Sequence, residues 1–177
     1  MKKLLLGALI ALLLPVVAFA EGEAETTTLN DYLDPAKVTL DLEGAEMVET
    51  EDGGFSFNEA SYNGVVCFGE IDGIIEADMS INLADGPSDW IGFQMRAETT
   101  DKRCWMTRNY LAIVKSTNIE LQVYDGKTRY VSNFDYKMPL NTKMNVKMGV
   151  IPVEDGVYYF IKLGDKLFGS YVKSDVV

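Results

Sequence analysis

The sequence predicts an all-β chain folded as a two-sheet antiparallel sandwich. Three observations carry that expectation. Short segments of alternating or β-branched and aromatic residues follow one another along most of the chain. Turn dipeptides separate them: Asp52-Gly53, Asn63-Gly64, Asp72-Gly73, Asp85-Gly86, Asp125-Gly126, Asp155-Gly156 and Gly164-Asp165. Beyond the first twenty residues no segment sustains the 3.6-residue period of a helix, so strands have only other strands to pack against.

The first twenty residues read as an export signal. Lys2 and Lys3 precede an apolar run, and Ala18-Phe19-Ala20 supplies a small-x-small cleavage site. Cleavage near Ala20 predicts a secreted or extracytoplasmic protein beginning at Glu21. Residues 21–37 form an acidic, Thr-rich leader, expected to be partly flexible, and residues 38–177 form one domain. No later segment is apolar and long enough to span a bilayer as a helix, so no membrane insertion is expected.

Strands are expected at 38–42, 54–57, 65–68, 74–83, 90–97, 110–115, 119–124, 130–134, 144–151, 157–163 and 167–172. The most informative stretch is 76–97. Ala77, Met79, Ile81 and Leu83 alternate with Glu76, Asp78, Ser80 and Asn82. After a turn-rich break, Ile91, Phe93, Met95 and Ala97 alternate with Trp90, Gly92, Gln94 and Arg96. This spacing predicts a hairpin folded about Gly86, with Glu76 opposite Arg96, Asp78 opposite Gln94 and Asn82 opposite Trp90. Ile119, Leu121 and Val123, and likewise Met144, Val146, Met148 and Val150, read as inward faces of facing sheets.

The formal net charge is −11, and loss of Lys2 and Lys3 makes the remainder more acidic still, so nucleic acid and anionic lipid are poor partners. The chain has no histidine, which removes Ser-His-Asp and Cys-His catalysis and most zinc sites. Cys67 and Cys104 either pair in an oxidising compartment or stay as buried thiols.

The segments at 75–81, Trp90-Ile91-Gly92-Phe93-Gln94-Met95-Arg96, Asn109-Tyr110-Leu111-Ala112-Ile113, 119–124 and 144–166 together resemble the concanavalin A-like lectin and glucanase superfamily. The resemblance is to its laminin-G-like and 3-keto-disaccharide-hydrolase-like sandwiches. It implies a jelly-roll sandwich. The family continues through one or two strands more, so either the sheet closes with fewer strands or the chain is a fragment.

The resemblance implies a carbohydrate-active protein, and two sites compete. Glucanases of the superfamily carry Glu-x-Asp-x-Glu or Glu-x-Asp-x-x-Glu along one strand. In Glu70-Ile71-Asp72-Gly73-Ile74-Ile75-Glu76 the second Glu falls one residue too late, and Asp72-Gly73 reads as a turn, so no catalytic residue is assigned. The polar ladder of Trp90, Gln94, Arg96, Glu76, Asp78 and Asn82 offers an aromatic face with amide, carboxylate and guanidinium groups. This is the chemistry that holds a glycan, and Tyr124 adds to it from a later strand with Gln122 and Glu120 beside it. The bland alternative is an Arg96–Glu76 ion pair with Trp90 capping the sheet edge. The expectation is a non-catalytic, lectin-like module binding a polysaccharide or glycan. A hydrolase of the same fold and an adhesion domain that binds protein are the alternatives. No cofactor is required; calcium, which some members bind, has oxygen ligands on offer in the acidic loop 85–89.

Overall fold

The computed structural model describes residues 26–28, 39–41, 47–51, 55–57, 65–67, 73–83, 89–99 and 104–173. The chain is all-β. It forms β1 (Thr26–Thr28), β2 (Thr39–Asp41), β3 (Met47–Glu49), β4 (Phe55–Phe57), β5 (Val65–Cys67), β6 (Ile74–Met79) and β7 (Ile91–Met95). A 3-10 turn, Cys104–Met106, precedes β8 (Asn109–Val114), β9 (Asn118–Tyr124), β10 (Arg129–Asp135), β11 (Met144–Val153), β12 (Gly156–Leu163) and β13 (Lys166–Lys173). The export segment and the loop 84–88 lie outside the described residues. Among the described residues no helix is long and apolar enough to cross a membrane.

Two sheets carry the architecture. One has the order β10-β9-β8-β7, antiparallel throughout. The other has β6-β11-β12-β13 antiparallel, with β1 added parallel to β6. β2 pairs with β5 and β3 with β4 as separate two-stranded ladders. Thus the leader contains a strand, β1, in which Thr26–Thr28 pairs with Ile74, Ile75 and Glu76.

The period of two does the folding. Tyr110, Ala112 and Val114 of β8 and Ile119, Leu121 and Val123 of β9 face Val146, Met148 and Val150 of β11 and Tyr159, Ile161 and Leu163 of β12 in one core. Tyr110 and Tyr159 meet across the sheets at 5.5 Å between ring centroids, and Phe168 of β13 packs on Phe134 at 5.6 Å and Tyr136 at 5.0 Å. Turn chemistry sets the strand ends: Gly73, Gly126 and Gly164 adopt positive φ (84°, 94° and 59°), as their Asp-Gly and Gly-Asp dipeptides require.

The predicted hairpin does not form. β6 pairs with β11 and β1, whereas β7 pairs with β8 in the opposite sheet, so the chain crosses between sheets after Leu83. Alternation told which side of each segment is dry: Ala77, Met79, Ile81 and Leu83 of the first and Ile91, Phe93 and Met95 of the second turn inward, whereas Ala97, beyond the turn at Arg96, is exposed. Alternation carried no information on which neighbour each takes. Glu76 accordingly stands opposite Lys147, with which it forms an ion pair, and Asp78 stands opposite Asn145, whose Nδ2 donates to Asp78 Oδ1 at 3.1 Å.

The outer side of the β11–β12 region is also apolar. Ile74, Ile151, Tyr158 and Phe160 form a second buried cluster there. The end of the Phe160 ring lies over Gly149 and the hydroxyl end of Tyr158 over Gly169, in space that a side chain at either glycine would fill.

Candidate functional site

The outer side of the four-stranded sheet gathers the most varied chemistry. Register sets two rows there: Gln94, Leu111, Gln122 and Val131 in one, Gly92, Ile113, Glu120 and Asn133 in the next. Beyond them Tyr124 stands opposite Asn109 on one side and Arg129 on the other. Leu111 and Ile113 are buried although they face away from the core, and Leu111 lies beside groups that fold down on the sheet.

One covering group is Trp90. A Cβ at Gly92 would stand 2.9 Å from Trp90 Cζ3 and 3.0 Å from Leu111 Cδ1, so the indole lies down on the glycine and against the leucine. The residue remains 40% exposed. Trp105 meets it edge to face, with centroids 6.4 Å apart and planes at 78°.

The other cover is the Cys104–Met106 turn. Asn109 Nδ2 donates to the carbonyls of Cys104 (3.1 Å) and Thr107 (2.5 Å), and Thr107 Oγ1 donates to Cys104 O at 2.7 Å. These bonds hold the turn on the sheet. Of the two forms the sequence leaves open, Cys104 takes the buried thiol, with Sγ donating to Gln94 Oε1 at 2.9 Å. Arg129 ties the turn down from the opposite side. Its Nη2 donates to Trp105 O at 2.9 Å and its Nη1 to Gln122 Oε1 at 2.7 Å, while the guanidinium sits 4.8 Å from the Tyr124 ring centroid and 5.8 Å from that of Trp105.

The chain of bonds continues. Gln122 Nε2 donates to Glu120 Oε2 at 2.9 Å, and Lys115 Nζ and Asn118 Nδ2 donate to Glu120 Oε1. Partial burial alone would raise the Glu120 pKa, but the hydrogen bonds from Lys115, Gln122 and Asn118 and the Lys115 charge outweigh it and hold the carboxyl below its ordinary range. Glu120 is therefore a fixed anion, a poor proton donor. Gln94 Nε2, Trp105 Nε1 and Asn109 Oδ1 are buried around the turn with no hydrogen-bond partner.

Of the residues singled out from sequence, Trp90, Gln94 and Tyr124 share this face. Arg96 does not. Its backbone turns to φ 51°, which breaks the alternation after Met95, and its charge acts on the phenol of Tyr110, a residue that faces the core. Glu76 and Asp78 lie on the outer side of the other sheet, and the exposed Asn82 lies beyond the end of β6. The expected Arg96–Glu76 pair is replaced by Lys147–Glu76. Trp105, Arg129 and Lys115 were not among the predicted site residues. Arg129 was within reach of sequence reasoning, since a hairpin closed at Asp125-Gly126 sets it opposite Tyr124.

Glu70 and Asp72 of the carboxylate stretch, and residues 85–88 of the acidic loop, lie outside the described residues. Among the described residues no group of three or more Cys, Asp or Glu side chains converges as a metal site. Comparison of the chain with protein-family models, with curated protein sequences and with solved structures yields no match.

Proposed function

We propose that the chain is a secreted, non-catalytic glycan-binding domain of concanavalin A-like jelly-roll type, with its ligand on the outer face of β7–β10. The observation that carries the reading is the seating of Trp90 on Gly92. An indole held down over a glycine is braced from below, and with 40% of the residue open to solvent it can offer apolar surface to the C–H groups of a sugar ring. Around it the charged groups are already paired, Lys115 with Glu120 and Arg129 with Gln122, Tyr124 and the Trp105 carbonyl. The net charge of −11 repels polyanions at long range and so favours a neutral glycan. The resemblance of the strand segments to lectin-like sandwiches supports the same reading, as does the amino-terminal export signal.

Affinity electrophoresis through gels containing neutral polysaccharides tests it. At least one polymer should retard the wild type, and Trp90→Ala should weaken that retention by roughly 1–3 kcal/mol, the scale of exposing a large side chain's apolar face. No retardation by any polymer, or equal retardation of both proteins, removes this face as the site.

A further inference from the structure

β10 closes the four-stranded sheet at one edge, and among the described residues it pairs with β9 alone. Its seven residues, Arg129 to Asp135, contain no Pro, Gly or Lys, and Tyr130 and Val131 are 41% and 46% exposed. Such an edge is a template for another strand. The neighbouring edge strand of the other sheet, β13, is guarded by contrast, with Lys166 and Lys173 at its ends and Gly169 within it.

The free backbone groups can be assigned. Asp125 N–H bonds Thr128 O before the strand and Tyr136 N–H bonds Thr117 O after it, and hydrogen-bonded pairs alternate along an antiparallel ladder. Tyr130, Ser132 and Phe134 therefore turn their N–H and C=O groups to β9. Arg129, Val131, Asn133 and Asp135 turn theirs to the open edge.

We infer that β10 is a homodimerisation edge: it pairs antiparallel with β10 of a second copy of this chain about a two-fold axis at Ser132. The strand is its own complement in that register. Arg129 meets the partner's Asp135, Tyr130 meets the partner's Phe134, and Val131 meets the partner's Asn133. The edge-facing residues pair with one another, giving about eight backbone hydrogen bonds. The Arg129 guanidinium leans toward β9, where Gln122, Tyr124 and the Trp105 carbonyl engage it through neutral groups, so its charge remains for attraction to the partner's Asp135. Tyr130 of each copy joins the partner's aromatic group of Phe134, Phe168 and Tyr136 in a non-hydrogen-bonded pair, where side chains approach most closely. A register shifted by two residues loses the charge pair in either direction: one shift sets Arg129 opposite the partner's Asn133, the other sets it opposite the partner's Lys137, a like charge. The two copies repel at long range through their net charge, so added salt strengthens the contact.

Sedimentation equilibrium from about 1 μM to about 1 mM protein, in low and high salt, spans the range in which a modest interface populates. The wild type should pass from monomer to dimer, more readily in high salt. Val131→Pro deletes an edge donor without touching the β9 ladder and should remain monomeric with the wild-type circular dichroism. Asp135→Arg, which sets like charges opposite, should weaken the dimer at least tenfold and decides the matter should Val131→Pro not fold. Mild oxidation should crosslink Ser132→Cys between copies and leave Val131→Cys uncrosslinked. A wild type monomeric throughout, or a dimer indifferent to Asp135→Arg, overturns the inference.

Discussion

Trp90 owes its position to Gly92: with a side chain at 92 the indole would have to rise from the sheet, because Cζ3 lies 2.9 Å from where a Cβ would stand. Gly92→Val should therefore lift the indole and abolish glycan retention while Trp90 itself is still present. Strand propensity favours valine over glycine, so unfolding temperature should change little. Tryptophan fluorescence reports the move, since Trp90 is one of only two tryptophans. An unchanged spectrum with unchanged retention contradicts the seating.

Arg129 joins Gln122, Tyr124 and the Trp105 carbonyl through a planar, forked cation. Lysine cannot reproduce two directed bonds and a stacked face together. Arg129→Lys should cost about 1–3 kcal/mol in urea unfolding, measured at low protein concentration, with most of the loss from groups left unpaired. Full rescue by lysine would reduce the residue to a point charge.

Gly149 leaves room for the end of the Phe160 ring, and a Cβ there would lie 2.8 Å from Phe160 Cζ. Phe160 is fully buried and has nowhere to retreat. Gly149→Ala should destabilise the fold by about 1–3 kcal/mol through overpacking, read as a lower urea midpoint at unchanged slope.

Tyr110 and Tyr159 are buried where the sheets meet. Burial raises both phenols above 10.0; Arg96 lowers Tyr110 and Tyr159 raises it further, while the hydroxyls of Ser170 and Ser132 lower Tyr159. A folded pKa above the unfolded one means that their contribution is complete below pH 10.0 and is lost as pH rises past it. Spectrophotometric titration should show at least these two phenols ionising late, together with unfolding. Normal titration of all tyrosines in the folded protein would refute their burial.

On the acid side the sign reverses. Glu120 is held below 4.5 once the hydrogen bonds from Lys115, Gln122 and Asn118 overcome its burial. Its contribution is present above pH 4.5 and lost as pH falls through the folded value. Glu120→Gln should flatten the acid limb of the stability curve, and an unaltered limb would assign acid sensitivity elsewhere.

Sequence reading found eleven of the strands because each is a local event: a period of two between turn dipeptides, as in Ile119, Leu121 and Val123. It missed two: β1, whose three threonines show no apolar alternation in the sequence and which pairs with β6, and β3, three residues long and paired with β4. The site was legible only as chemistry. Trp90, Gln94 and Tyr124 share a face, but Glu76 and Asp78 were assigned to it through a hairpin that the loop after Leu83 does not make. Arg96 was assigned by an alternation that its positive φ interrupts. Which strands become neighbours depends on how two whole sheets cover one another, and no window of twenty residues contains that.

The crossing after Leu83 also orders the events of folding. β8–β9–β10 and β11–β12–β13 are chains of tight hairpins that close short loops, events on the microsecond scale. β6 must instead wait for a partner far along the chain, for Asp78 and Asn145 are separated by 67 residues. Loop-closure entropy slows such a contact relative to the hairpins, which predicts that β6 docks onto β11 after the two meanders have formed. Until it does, the β6-facing side of β11 is an open edge beside Val146 and Met148. That order predicts an interval, between completing the last hairpin and recapturing an earlier strand, in which an unpaired strand edge beside apolar side chains is open to aggregation.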